Sequence, residues 1–133
     1  MHPNAQTQPK KPKSLLLLEK QERPMRMLKA CLERMGYRVL TSSSAEWTQE
    51  MLEDPAIDLL IASISKDEEG AHLELLEAVL GNRPLLLVEP EADQPDTIEP
   101  EMHGCSSVHF LKRPFTLDEL DTRIKQALLP RRS

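Results

Sequence analysis

The chain has 133 residues, a mass of 15.2 kDa and a net charge of −5. That length suits one domain with its own core, without disulfide or metal staples. Cys31 and Cys105 fit neither a C-x-x-C nor a zinc spacing and read as reduced thiols of a cytoplasmic protein. Apolar runs such as Leu15–Leu18 are far too short to cross a bilayer, and the opening "MHPNAQTQPKKPK" lacks the apolar stretch of a secretion signal. Residues 1–13 read as a disordered basic tail. Their Lys10, Lys11 and Lys13 contribute +3, which leaves −8 for the remainder. So acidic and aromatic-poor a body offers no platform for phosphates or stacked bases, and direct nucleic-acid binding is not expected.

Apolar, strand-like runs then alternate with helical patterns. Ser14–Leu18 is nearly all leucine, as a strand buried on both faces is. Met25, Leu28, Leu32 and Met35 follow at helical spacing, and Gly36 gives a C-cap signal. "YRVLT" (37–41) is the second strand. The serines at 42–44 supply an N-cap for a short helix, on which Trp47 and Met51 stand four apart and read as core. Residues 57–64 form the third strand. Leu73, Leu76 and Leu80 mark a third helix closed by Gly81. "PLLLV" (84–88) and "SVHFL" (107–111) are the fourth and fifth strands. The last helix opens on "TLDE", where Thr116 caps and Glu119 reaches back, and carries Leu117, Leu120, Ile124 and Leu128 as its stripe.

One stretch breaks the alternation. "EPEADQPDTIEPEMHG" (89–104) stands where a fourth helix belongs, with prolines at 90, 95 and 100. Each proline removes an amide donor and costs about 3 kcal/mol in a helix interior. The fourth helix is therefore expected to be degenerate or missing, beside an acidic surface of Glu91, Asp93, Asp96, Glu99 and Glu101. The pattern as a whole predicts an α/β domain over residues 14–129, with 130–133 starting a linker or tail. Right-handed crossovers place its working crevice beyond the carboxyl ends of the strands, where Glu19, Ser63, Glu89 and Arg113 fall.

The strand-then-acid start "LLLLEK", the block "DLLIASISKDEEG", "RPLLLVEP" and "KRPFTLDEL" occur in that order over residues 14–129. Together they resemble the receiver domain of bacterial response regulators. The resemblance implies a doubly wound, flavodoxin-like fold with a five-stranded parallel sheet in the order 2-1-3-4-5. It also implies a signalling module rather than an enzyme, working in two-component signal transduction. In that family two acids after the first strand and an aspartate after the third hold Mg²⁺, and the aspartate accepts a phosphoryl group. A hydroxyl residue after the fourth strand and a lysine after the fifth complete the site. Carried over by position, the acid pair becomes Glu19 and Lys20, and the phosphoacceptor becomes Ser63. The hydroxyl place becomes Glu89. Arg113, directly before Pro114, takes the lysine place ahead of Lys112. A cis peptide before Pro114 is a further family feature.

These replacements point to a degenerate, pseudo-receiver form. Two acids now face two bases, so the site lacks the anionic oxygens Mg²⁺ requires, and no metal or other cofactor is expected. A serine hydroxyl forms no acyl phosphate and has no evident base beside it. Asp58 stands at the opposite end of the third strand, and His72, His103 and His109 share no metal spacing. No catalytic residue is expected. Arg113 is instead expected to pair with Glu89 or Glu19 and hold the end of the fifth strand. The function so read is a phosphorylation-independent protein–protein interaction module. Its partners are other signalling proteins or a C-terminal output domain, with the acidic stretch as a docking surface and no membrane contact. The alternatives are a small-ligand sensor that takes an anion or nucleotide in the crevice, and an atypical phosphorylatable regulator.

Overall fold

A computed structural model describes residues 12–63, 76, 78–89 and 108–129 of the chain. Strands β1 (Ser14–Glu19), β2 (Arg38–Ser42), β3 (Leu59–Ser63), β4 (Leu85–Glu89) and β5 (Val108–Lys112) make one parallel sheet in the order β2-β1-β3-β4-β5. Helices α1 (Glu22–Arg34), α2 (Ala45–Met51) and α3 (Leu117–Leu128) accompany it, and residues 76 and 78–80 are also helical. Four of the strands end one residue beyond the expected apolar runs, so Glu19 and Glu89 close their strands rather than open the following loops. Among the described residues no helix is long and apolar enough to cross a membrane. The expected loss of the fourth helix and the acidic residues Glu91, Asp93, Asp96, Glu99 and Glu101 lie outside the described residues. So do Leu73, His72, His103 and Cys105.

Strand periodicity explains why the central strands are almost pure leucine. Leu15 and Leu17 of β1, Leu59 and Ile61 of β3, and Leu86 and Val88 of β4 face one side of the sheet. There they meet Leu28 and Leu32 of α1 and Leu120, Ile124 and Ala127 of α3. The alternate residues Leu16, Leu18, Leu60, Ala62, Leu85 and Leu87 face the other side and pack with Leu52, Ile57, Leu76 and Leu80. A parallel strand with helices on both faces has no polar side, and each leucine so buried contributes about 1.5–3 kcal/mol.

Local chemistry ends the helices. After α1 the Tyr37 amide donates to the Leu32 carbonyl and the Gly36 amide to Glu33, with Gly36 at φ +100°. This paired closure needs a left-handed residue, and glycine adopts that conformation without a Cβ penalty. Ser44 Oγ accepts from the Trp47 amide at 3.1 Å and starts α2. Thr116 and Glu119 form the expected reciprocal box at the start of α3, with both bonds at 3.0 Å.

Two expectations about helix faces are corrected. Trp47 is not core: α2 buries Ala45 and Thr48 and, at its end, Leu52, and leaves Trp47 58% exposed, with Met51 half-buried. Ala45, Thr48 and Leu52, spaced three and four apart, define the buried stripe. On α3, Leu117 is 53% exposed, and Ala127 takes the buried place beside Leu120 and Ile124. In both helices the bulk of a side chain was a poorer guide than the phase of the helix.

Arg83 was not singled out in the sequence, yet it ties the amino-terminal end of the sheet together. Its Nε donates to the Leu80 carbonyl at 3.0 Å, and Nη1 to those of Asp54 and Ile57 at 3.1 and 3.2 Å. Nη2 donates to the carbonyls of Leu52 and Val79. The guanidinium fork thus joins the end of one helix, the turn after α2 and the approach to β3. A base just past a glycine helix stop was the available signal, since cations favour helix carboxyl ends. At the same edge Asp58 Oδ2 accepts from the Ser14 amide at 2.8 Å, which accounts for this acid at the start of β3.

Candidate functional site at the carboxyl ends of the strands

Parallel pairing brings the site residues to one edge. Glu19 of β1 lies in register with Ser63 of β3, and Ser63 pairs in turn with Val88 of β4. Glu89 ends β4 opposite Lys112 of β5, and Arg113 follows directly. The Arg113–Pro114 peptide is cis.

Arg113 gives the site its shape. With adjacent strands about 4.8 Å apart, β5 is three places from β1, and the guanidinium extends across the end of β4. Its Nη2 lies 3.3 Å from Glu19 Oε1 and 3.4 Å from Ser63 Oγ. The ion pair is half-sheltered, with the Glu19 side chain 6% exposed and that of Arg113 27%. The other Glu19 oxygen, Oε2, accepts from the Gln21 amide at 3.1 Å. Both oxygens are therefore engaged, one by a charge and one by backbone. Lys20 is exposed, and Glu89 is described in its backbone alone. Of the five predicted positions, the structure joins Glu19, Ser63 and Arg113 through side-chain contacts. The part of Gln21 escaped the sequence reading, although an acid two residues before an amide that opens a helix is a recurrent turn arrangement.

His109 lies mid-strand on β5, away from this edge and half-buried. Burial, and then the Arg123 charge on α3, lower its pKa from the ordinary value of 6.5. It takes no part in the Glu19–Ser63–Arg113 cluster.

Comparison with known proteins agrees with the fold. Residues 14–129 match the family described as flagellar regulatory protein FleQ. The chain is 29% identical over 118 residues to the transcriptional regulatory protein CrdR of Helicobacter pylori (strain ATCC 700392 / 26695), covering 86% of this chain and 54% of that protein. It is 28% identical over 120 residues to the transcriptional regulatory protein GlrR of Escherichia coli (strain K12), covering 89% of this chain and 27% of that one. The chain thus spans about half, or about a quarter, of the length of these curated relatives. Among solved structures, the receiver domain of the hybrid histidine kinase CckA superposes with a TM-score of 0.68 at 22% identity, covering 87% of this chain and 99% of that one. A response regulator receiver protein from Sinorhizobium medicae WSM419 gives 0.71 at 22% identity, with 88% and 94% covered. The sheet order, the two helical layers and the match over residues 14–129 lead to one identification: the chain belongs to the FleQ flagellar regulatory family, as a receiver-fold domain of bacterial signalling.

Proposed function

We propose that this domain is a pseudo-receiver: a regulatory module that works through protein contacts without phosphorylation, within a longer cytoplasmic transcriptional regulator of the flagellar type. The observation that carries the reading is the Arg113 guanidinium, held against both Glu19 and Ser63. In a phosphorylatable receiver that space takes a metal ion and an acyl phosphate. Here a cation belonging to the protein already engages the buried carboxylate, and Lys20 follows it in sequence. Among the described residues the donors do not suit Mg²⁺, which demands anionic or neutral oxygens in octahedral array. Glu19 offers one oxygen to Arg113 and the other to an amide, and Ser63 adds only a neutral hydroxyl. Ser63 has no described base within reach to activate it, so nucleophilic chemistry is not part of the proposal.

A module of this kind acts by presenting surface. Its partners are the output portion of the same regulator or other signalling proteins, and the acidic residues Glu91, Asp93, Asp96, Glu99 and Glu101 are a proposed docking surface for them. Arg113 then serves to fix the end of β5 in one arrangement, as sheltered ion pairs do when they select a geometry.

The test is an amide NMR titration with Mg²⁺ followed by beryllofluoride, a phosphoryl mimic. The expected result is no saturable shift at Glu19, Ser63 or Arg113 up to millimolar Mg²⁺. Saturable shifts at those amides would overturn the reading and reopen phosphorylation. A response to a nucleotide but not to Mg²⁺ would replace it with the ligand-sensor reading.

A further inference from the structure

Four large apolar side chains are exposed among the described residues, and two of them stand within helices of opposite charge. Met27 is 68% exposed on α1, and Trp47 is 58% exposed on α2. Scattered apolar side chains on a surface need no explanation, but the surroundings of these two are complementary. Along α1, Arg23, Met27, Ala30 and Arg34 are all exposed and follow at spacings of four, three and four, which makes one stripe. Arg26 pairs with Glu22 and Lys29 with Glu33 within the helix. Arg23 and Arg34 have no ion-pair partner among the described residues. Across residues 45–54, Glu46, Glu50, Glu53 and Asp54 face no base in the same segment. Glu46 and Glu50 flank Trp47 and line with it, Ser44 and Gln49 an open hollow of about 440 Å³. That is room for a long side chain to lie on the indole.

These two surfaces cannot meet within one molecule. Helix α1 packs on the sheet face that holds Leu15 and Leu17, and the end of α2 packs on the face that holds Leu16 and Leu18. We propose that the α1 stripe of one copy docks on the α2 face of a second copy. Met27 then lies against the Trp47 ring, with Arg23 and Arg34 near Glu46 and Glu50. Sulfur–aromatic and guanidinium–indole contacts favour that pairing, and the charges select its orientation. Because the two surfaces differ, the contact is heterologous: each copy keeps one free end, and association continues beyond a dimer. The proposal rests on α1 and α2 and is independent of the strand-end site.

Two variants of the chain test it. Arg23→Glu with Arg34→Glu removes the α1 end, and Trp47→Ala with Glu50→Gln removes the α2 end without making it complementary to the reversed α1 stripe. All four positions are exposed or half-exposed helix sites, so folding is retained and is checked by circular dichroism. In sedimentation velocity at low salt, the wild type is expected to form species larger than a dimer as concentration rises from micromolar to millimolar. About 1 M NaCl should suppress this, since screening there acts within about 3 Å. Each variant alone should be monomeric over the same range. A mixture of the two should give a capped one-to-one dimer through the intact end of each, with a blue shift of emission from Trp47, the single tryptophan. A mixture that stays monomeric overturns the proposal, and so does association of both variants like the wild type.

Discussion

Each end of the sheet is organised by an arginine, and the two are used in opposite ways. At the amino-terminal end Arg83 directs all its donors at backbone carbonyls, those of Leu52, Asp54, Ile57, Val79 and Leu80. At the carboxyl-terminal end Arg113 reaches two side chains, Glu19 and Ser63, at 3.3 and 3.4 Å, and remains 27% exposed. Carbonyls belong to the chain trace and cannot turn away, so the first arrangement is a staple. The second arrangement joins side chains, so it fixes local geometry at one edge and not the path of the backbone. The comparison separates a part of the molecule that holds the fold from a part that sets the character of the crevice.

Removing the staple should have the largest effect. Arg83→Ala leaves carbonyls from three segments without their shared donor and is expected to cost about 3 kcal/mol in urea unfolding. Arg83→Lys should recover little of this, because an ammonium lacks the planar fork. A loss below about 1 kcal/mol would break the comparison, since the carbonyls would then be satisfied equally well by water.

Arg113→Ala should cost less, about 1–2 kcal/mol, and the loss should couple to Glu19. In a double-mutant cycle with Glu19→Gln the two substitutions are expected to interact by about 1 kcal/mol. Salt sharpens the contrast. High ionic strength should shrink the cost of Arg113→Ala, whose partner carries a charge, and leave that of Arg83→Ala unchanged, whose partners are neutral. Equal salt sensitivity at both sites would remove the distinction.

The smallest effect is expected between the two ends, at His109 on β5. Burial and then Arg123 depress its folded pKa below the ordinary 6.5, so the unfolded chain takes up this proton first as pH falls. The stability involved is complete above the unfolded value and is lost as pH drops through the lower folded one. His109→Asn should therefore flatten the acid limb of a urea-midpoint profile and leave both arginine effects in place.

Much of this fold was legible because its determinants are local. Leu15–Leu18 can only be a strand covered on both faces, and adjacent leucines do enter opposite core clusters. Gly36, Ser44 and the Thr116–Glu119 box closed or opened their helices as expected, since a cap acts within a few residues of itself. Trp47 was misplaced for a physical reason: in a helix of seven residues the small Ala45 and Thr48 set which side meets the sheet, and size alone does not reveal that phase.

By itself the sequence determined the order of strands and helices and placed Glu19 and Ser63 at the carboxyl ends of their strands. Those follow from residue identity and short-range periodicity. Only the tertiary structure decided that Arg113 engages Glu19, 94 residues away in the chain, and that Arg83 draws together carbonyls up to 31 residues distant. A long, charged side chain has many partners within its reach, and the backbone on which it is mounted selects among them.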